Sequence, residues 1–407
     1  MSHLNRRHFL GTSAAAGVAL AGGLSRFAEA AGVALTPGVP EGISSYVTMG
    51  KLPGKQPLIQ LSDRPPNFEA PIEYLRTPIT PNDQFYVRYH LSDIPDIKAE
   101  GYKIAVGGDG ANGQAEITLD DLKKMPAVEV VAVNQCSGNR RGLSKPRVQG
   151  VEWGYGAMGC ARWKGVKLKD VLDKVGLKKE AIEIVFNGAD GPAVAATPDF
   201  VKSIPVWKAI DESTIIAYEM NGQPLPHFNG FPARIVVPGW TGTYWMKHVV
   251  SINALTKPEA NFWMNPAYRV PVGKFPLRDR FLTQENAAST PITEMVVNSL
   301  ITSHRDGDKV KAGKVTISGM AWDGGYGIRT VQVSTDGGKT WGSATLGQDL
   351  GRFAFRPWSF EVSAKKGKNS VMVNAINKLG QSQTSELIFN PAGYHNNVIQ
   401  RIEIDVS

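Results

Sequence analysis

Between residues 76 and 288 the chain alternates short apolar runs with polar, glycine-bearing breaks. "FYVRYH", "YKIAVGG", "VEVVAVNQ", "IEIVFNG" and "ARIVVPG" are rich in β-branched and aromatic residues and have strand length. "LDDLKKM" and "WKGVKLKDVLDKVGL" place apolar residues three and four apart, which predicts helices. Strands mixed with a few helices predict an α+β domain. Near residue 290 the texture changes. "KVTISGMAWDGGYGIRTVQVSTDGGKTW", "WSFEVSA" and "NSVMVNAINKLG" alternate with period two and break at Gly-Gly and Asp-Gly turns. That pattern predicts an immunoglobulin-like β-sandwich over 289–407. With no cysteine pair to pin its sheets, its core falls to aromatics such as Trp322, Trp341 and Trp358. Residues 31–75 are rich in proline and glycine without periodicity, and read as an extended N-terminal arm lying on the body.

The first thirty residues read as an address. Arg6 and Arg7 precede Phe9, Leu10 and a weakly apolar Ala/Gly stretch, and Ala28-Glu29-Ala30 ends it. The apolar part falls short of the ~20 residues that span a bilayer. A twin-arginine export signal fits over 1–30, with a periplasmic destination. No later segment is long and apolar enough to span a membrane. A chain of 407 residues with 42% hydrophobic and 20% charged residues is a globular protein of two domains. Its formal charge of +8 is spread without long Lys/Arg runs, which argues against nucleic acid and for a small anionic substrate.

Only two cysteines occur, Cys136 and Cys160. A chain that folds in the cytoplasm before export meets reducing conditions, so free thiols are expected, a disulfide being the plainer alternative. Cys136 follows the run "VEVVAVNQ" and precedes Arg140 and Arg141, cations that favour the thiolate. No CxxC, HExxH or CxxCH motif is present, and seven histidines are scattered. Cys136 is then an inert core thiol, a nucleophile, or one ligand of a metal whose remaining ligands a cofactor supplies.

"CSGNRR" resembles the cysteine motif of the sulfite oxidase family of molybdenum enzymes. "TPNDQFYVRYH" is similar to the family's active-site segment of aromatic, Arg and His. "AYEMNGQPLP" and "NGFPARIVVPGWTGTYWMKHV" resemble its pterin-binding region, and "SGMAWDGGYGIRTVQVSTDGGKTW" its dimerisation domain. The pieces occur in family order from about residue 70 to the end. The resemblance implies that Cys136 ligates molybdenum held by molybdopterin. It implies that Arg88, His90, Cys136, Arg141 and Tyr268 form the catalytic pocket. Tyr86, Val87, Arg88, Tyr89, His90, Asp190, Asn229, Arg234, Trp245, Met246 and Lys247 would hold the cofactor. Asn229 replaces a histidine of vertebrate members, Ala392 replaces a substrate-binding arginine, and Ala267 stands where an acid precedes the tyrosine; similar replacements occur in bacterial sulfite dehydrogenases.

Arginine suits a small oxyanion because it stays charged and offers a planar fork of donors. Tyr268 can donate a hydrogen bond, and His90 is a candidate titrating group. The resemblance implies a dehydrogenase that oxidises sulfite at molybdenum and passes electrons singly to an external c-type cytochrome, with no haem in this chain. A homodimer through the C-terminal domain is implied as well. The alternatives are a periplasmic methionine-sulfoxide reductase subunit, a nitrate reductase, and an exported binding protein in which "CSGNRR" is a structural loop.

Overall fold

A computed structural model describes residues 48–272 and 289–407. The expected leader, the start of the arm and most of the segment joining the two domains lie outside the described residues.

The first domain is built on two sheets. In the mixed sheet the strands run in the order Val201–Pro205, Glu183–Gly188, Val249–Leu255, Lys103–Gly107, Ala115–Thr118. Only Val249–Leu255 and Lys103–Gly107 pair in parallel. The second sheet is antiparallel, ordered Gln223–Pro224, Ile215–Met220, Met158–Lys167, Ala127–Gln135, with Arg234–Val236 added to Ile215–Met220. Both sheets drain into one large core holding Phe85, Trp153, Trp163, Phe186 and Trp245. The described α-helices are short: Leu119–Lys124, Leu168–Leu172 and Val206–Ala209. Leu119–Lys124 opens on a capping box, with the Thr118 hydroxyl accepting from the Asp121 N–H and the Asp121 carboxylate accepting from the Thr118 N–H. The α+β expectation holds, with sheet dominant.

One expected helix starts late. "WKGVKLKDVLDKVGL" is a strand as far as Lys167 and a helix only over Leu168–Leu172. Trp163 and Val166 are fully buried in a strand paired on both sides, where neighbouring main chains claim their N–H and C=O groups. Gly165 marks the close approach: a Cβ there would lie 1.9 Å from the Ile216 carbonyl oxygen.

The described part of the arm is not loosely draped. Met49–Gly50, Leu58–Ser62 and Asn67–Glu69 form a small sheet with Val87–Arg88. Leu58, Phe68, Val87 and Tyr89 make its core. The run "FYVRYH" is therefore strand only at Val87–Arg88, and its register is set by the arm.

The C-terminal domain is two antiparallel-dominated sheets face to face. One has the order Asn298–Ile301, Gly313–Trp322, Arg356–Ala364, Thr345–Leu346. The other has Lys309–Val310, Gln400–Val406, Gly367–Asn377, Ile328–Ser334, Gly342–Ser343. Ile317, Val331, Val333, Trp358, Val371, Val373 and Ile404 fill the space between them. Of the expected core aromatics only Trp358 lies there. Trp322 faces the first domain, stacked edge-on against Phe355 and donating to the Gln135 side-chain oxygen at 2.6 Å. Trp341 is half-buried and closes its own turn by donating to the Gly338 carbonyl at 3.0 Å. The domain interface has an apolar centre, where Leu75, Val133, Met158 and Cys160 meet Met295, Leu300, Met320 and Trp322.

Candidate active site

Cys136 ends the strand Ala127–Gln135, and main-chain bonds hold it there. Its N–H donates to the Ala157 carbonyl at 2.9 Å, and its carbonyl accepts from the Asn139 N–H at 2.9 Å. The facing loop is fixed in turn by Glu69, whose carboxylate accepts from the N–H groups of Gly154 (2.6 Å) and Gly156 (2.7 Å). Burial raises the Glu69 carboxyl to about 7 against those bonds. Both cysteines are free, which removes the disulfide alternative. Cys160 is fully buried in the domain interface, and burial pushes its thiol up to about 12. Cys136, by contrast, opens onto a cavity.

The space between its walls, the open mouth included, amounts to about 610 Å³. Tyr86, Arg88, Tyr89, His90, Cys136, Asp190, Asn229, Arg234, Trp245, Met246, Lys247 and Tyr268 all line it. Two anticipated residues do not. The Val87 side chain packs into the small sheet with Leu58 and Phe68, because strand alternation turns it away from its neighbours Tyr86 and Arg88. Arg141 stands behind the wall: its Nε donates to the Ala392 carbonyl at 2.7 Å, one terminal nitrogen donates to the Val151 carbonyl at 3.2 Å, and it lies over the Tyr394 ring. Its charge still reaches the site, where it helps depress His90 and hold down the Tyr268 phenol.

The cavity's cations are anchored by carbonyl oxygens. Arg88 donates to the Asn67 side-chain oxygen at 3.1 Å and to the Tyr89 carbonyl. Arg234 donates to the carbonyls of Asn229 (2.8 Å) and Trp245 (2.9 Å), and lies over the Trp163 ring. Lys247 donates to the Arg88 carbonyl at 2.8 Å. Burial holds the Lys247 ammonium well below its ordinary value, with Asp190 opposing, while burial lifts Asp190 to about 6.

At the other side Tyr268 hydrogen-bonds His90 Nε2. The imidazole stacks on Phe200 with ring centres 3.6 Å apart. Burial, then the charges of Arg88, Lys247, Lys202 and Arg141, drive its pKa well below 6.5. His90 is thus a neutral hydrogen-bonding group at neutral pH, and not the titrating group its residue type suggested. Tyr268 has a left-handed φ of 57°, rare for a bulky residue. Its carbonyl accepts from the Ile292 N–H, and its ring stacks on Tyr394 at 5.6 Å.

Four contributors carry no sequence signal. Lys55, from the arm, is buried and donates to Asn229 Oδ1 at 2.5 Å and the Asn82 carbonyl at 2.6 Å. Asn229 passes this on, donating to the Tyr86 carbonyl at 3.1 Å. Asn134 accepts from the Tyr86 hydroxyl, Thr243 lines the wall, and Tyr394 backs Tyr268. A lysine in a proline-rich segment reads as solvated until the small sheet buries it.

The donor set fits a pterin-bound metal. Three buried polar atoms of the cavity wall, Asn134 Nδ2, Arg234 Nε and Thr243 Oγ1, have no hydrogen-bond partner in the protein. A ligand with polar ring edges and an anionic tail would satisfy them. Among the described residues no cluster of three His, Cys, Asp or Glu side chains could hold a metal alone. A metal at Cys136 would take its other ligands from the bound group.

Residues 90–263 match the family described as "Oxidoreductase molybdopterin binding domain", and 289–407 match "Mo-co oxidoreductase dimerisation domain". Fold and cavity together define a molybdopterin oxidoreductase. Human mitochondrial sulfite oxidase is 34% identical over 372 residues, covering 87% of this chain and 67% of that protein. Arabidopsis thaliana sulfite oxidase is 34% identical over 331 residues, 78% of this chain and 82% of that one. Among solved structures, the sulfane dehydrogenase SoxCD from Paracoccus pantotrophus superposes with a TM-score of 0.73 at 25% identity, covering 92% and 93% of the two chains. The chain belongs to the sulfite oxidase family.

Proposed function

We propose that this chain oxidises sulfite to sulfate, sulfite and water giving sulfate, two protons and two electrons, and hands the electrons singly to an external c-type cytochrome. The observation that carries the reading is a single free thiol, Cys136, opening onto a buried cavity whose other walls are Arg88, Arg234, Lys247 and the Tyr268–His90 pair. When bound, pterin-held molybdenum supplies oxygen-atom transfer and stores the electron pair.

The chain's own residues do the rest. Cys136 presents its sulfur on a loop tied down by main-chain bonds, so ligation costs little reorganisation. Asp190, Asn229, Arg234 and Lys247 hold the cofactor's polar end, with Lys55 fixing the Asn229 amide. Arg88 draws the anion in, and Arg141 adds charge from behind the wall. The Tyr268 hydroxyl, kept protonated by burial and oriented by neutral His90, gives a hydrogen bond to a substrate oxygen.

The presence of 289–407 as a dimerisation domain supports a homodimer and weighs against a methionine-sulfoxide reductase subunit. The leader supports export in the folded state to the periplasm. Replacing Arg6 and Arg7 by lysine is expected to leave the chain in the cytoplasm; unchanged export would contradict that route. The catalytic reading is tested by molybdenum-loaded chain with sulfite and oxidised cytochrome c. Sulfite-dependent reduction is expected, with no reduction of methionine sulfoxide by the same preparation. The reverse pattern would transfer the assignment to the reductase.

A further inference from the structure

One buried cation is outside the machinery described so far. Lys202 lies on the edge strand Val201–Pro205 and is 0% exposed. Placing an ammonium in a protein interior is costly unless something uses its charge. Its Nζ donates to the Trp263 carbonyl at 2.6 Å and lies over two phenol rings, Tyr244 at 4.8 Å and Tyr268 at 4.9 Å. Glu183 faces it but spends a carboxylate oxygen on the Ser203 hydroxyl (2.7 Å) and the Glu259 N–H (3.0 Å). Arg269, the other charged group facing it, bonds to Ser289. Burial, then Arg269, lowers the ammonium to about 7, and Glu183 opposes.

Two further facts connect this cation to the cavity, and a third shows what charge is lacking there. Its charge is felt at His90, the hydrogen-bond partner of Tyr268. Trp263 packs edge-on against His90, with ring centres 5.0 Å apart. Ala392, close to Tyr394 behind Tyr268, brings no charge and offers only its carbonyl, to Arg141.

We propose that Lys202 is a positioning residue for anion binding: clamped to the Trp263 carbonyl and set over the Tyr268 ring, its ammonium keeps the Tyr268 hydroxyl aimed into the cavity and adds positive field that Ala392 does not supply. This rests on the oxyanion reading above and names the charge that serves it.

Sulfate, a dianion throughout the neutral range, is the probe, because sulfite itself changes charge there. Its binding to molybdenum-loaded chain is measured by calorimetry, which needs no turnover. Lys202→Met is expected to weaken sulfate about tenfold, and Lys202→Arg to stay within about threefold of native. Above about pH 7 the native ammonium loses its proton, so native affinity falls by several-fold between about pH 6 and about pH 9. Asp190 and Lys247 face the cavity and Lys55 stands behind Asn229 in its wall, so the difference between native and Lys202→Met curves isolates Lys202. Equal sulfate affinity in native and Lys202→Met proteins overturns the proposal alone. No saturable binding by the native chain overturns the oxyanion reading with it. Should Lys202→Met not be recovered folded, Lys202→Gln takes its place, and native sulfate affinity in that variant contradicts the proposal.

Discussion

Serine in place of Cys136 is expected to cut sulfite-dependent cytochrome c reduction about a thousandfold or more. The protein should remain folded. The loop that carries position 136 is held by main-chain bonds to Ala157 and Asn139, and the substitution touches neither. Serine is nearly the same size but offers a hard, protonated oxygen where a soft thiolate is needed. Cys160→Ser is the matched control. It places a hydroxyl in the apolar domain interface, where the Phe355 main chain already meets the thiol, so a loss of about 1 kcal/mol in stability is expected, with turnover unchanged. Native turnover in Cys136→Ser would show that the thiol is a core residue after all. Loss of turnover in Cys160→Ser would place the chemistry at the wrong sulfur.

The second large effect is structural. Arg140 takes a left-handed φ of 68°, which swings it away from the cavity. Its guanidinium is 1% exposed and donates to two carbonyls of the C-terminal domain, Ser299 at 2.8 Å and Val398 at 2.9 Å. Tyr155 lies beneath it, and burial lowers its pKa to about 10, still fully charged at any working pH. Arg140→Leu leaves the Ser299 carbonyl buried without its donor and the Val398 carbonyl with only a long bond from Gln383 Nε2 (3.4 Å), a cost of about 2 kcal/mol placed at the domain interface. Calorimetry is expected to show one transition for the native chain and an early, separate C-terminal transition for the variant. An unchanged, single transition would mean that the apolar contacts around Trp322 hold the domains together without this arginine. The adjacent arginines of "CSGNRR" thus do different work, one fastening the domains and one charging the site.

Much of the fold could be read from the chain because its strands are strongly patterned. The runs over 103–107, 127–135, 183–188 and 314–322 are strands as their residue types predict. The failure at Trp163–Lys167 has a clear cause. Arg162 and Lys164 alternate with buried Trp163, but Gly165 supplies no side chain to continue the pattern, and the helix that follows lends the run a misleading period. The arm was opaque for another reason: its strands are two to five residues long, too short to show any period, and depend on Val87–Arg88 for pairing.

The site divides the same way. Motif-bearing residues such as Cys136, Arg88 and Asn229 line the cavity. Lys55 and Lys202 were invisible because only tertiary burial distinguishes them from the solvated lysines of the surface. Arg141, expected on the cavity wall, stands behind it. No sequence pattern tells that the Ala392 carbonyl would claim its Nε.

The most direct test of the account is X-ray absorption at the molybdenum edge on loaded native and Cys136→Ser proteins. Native chain should show one more sulfur scatterer on the metal than the variant does. Identical sulfur counts in the two, or a native chain that takes up no molybdenum, would contradict it.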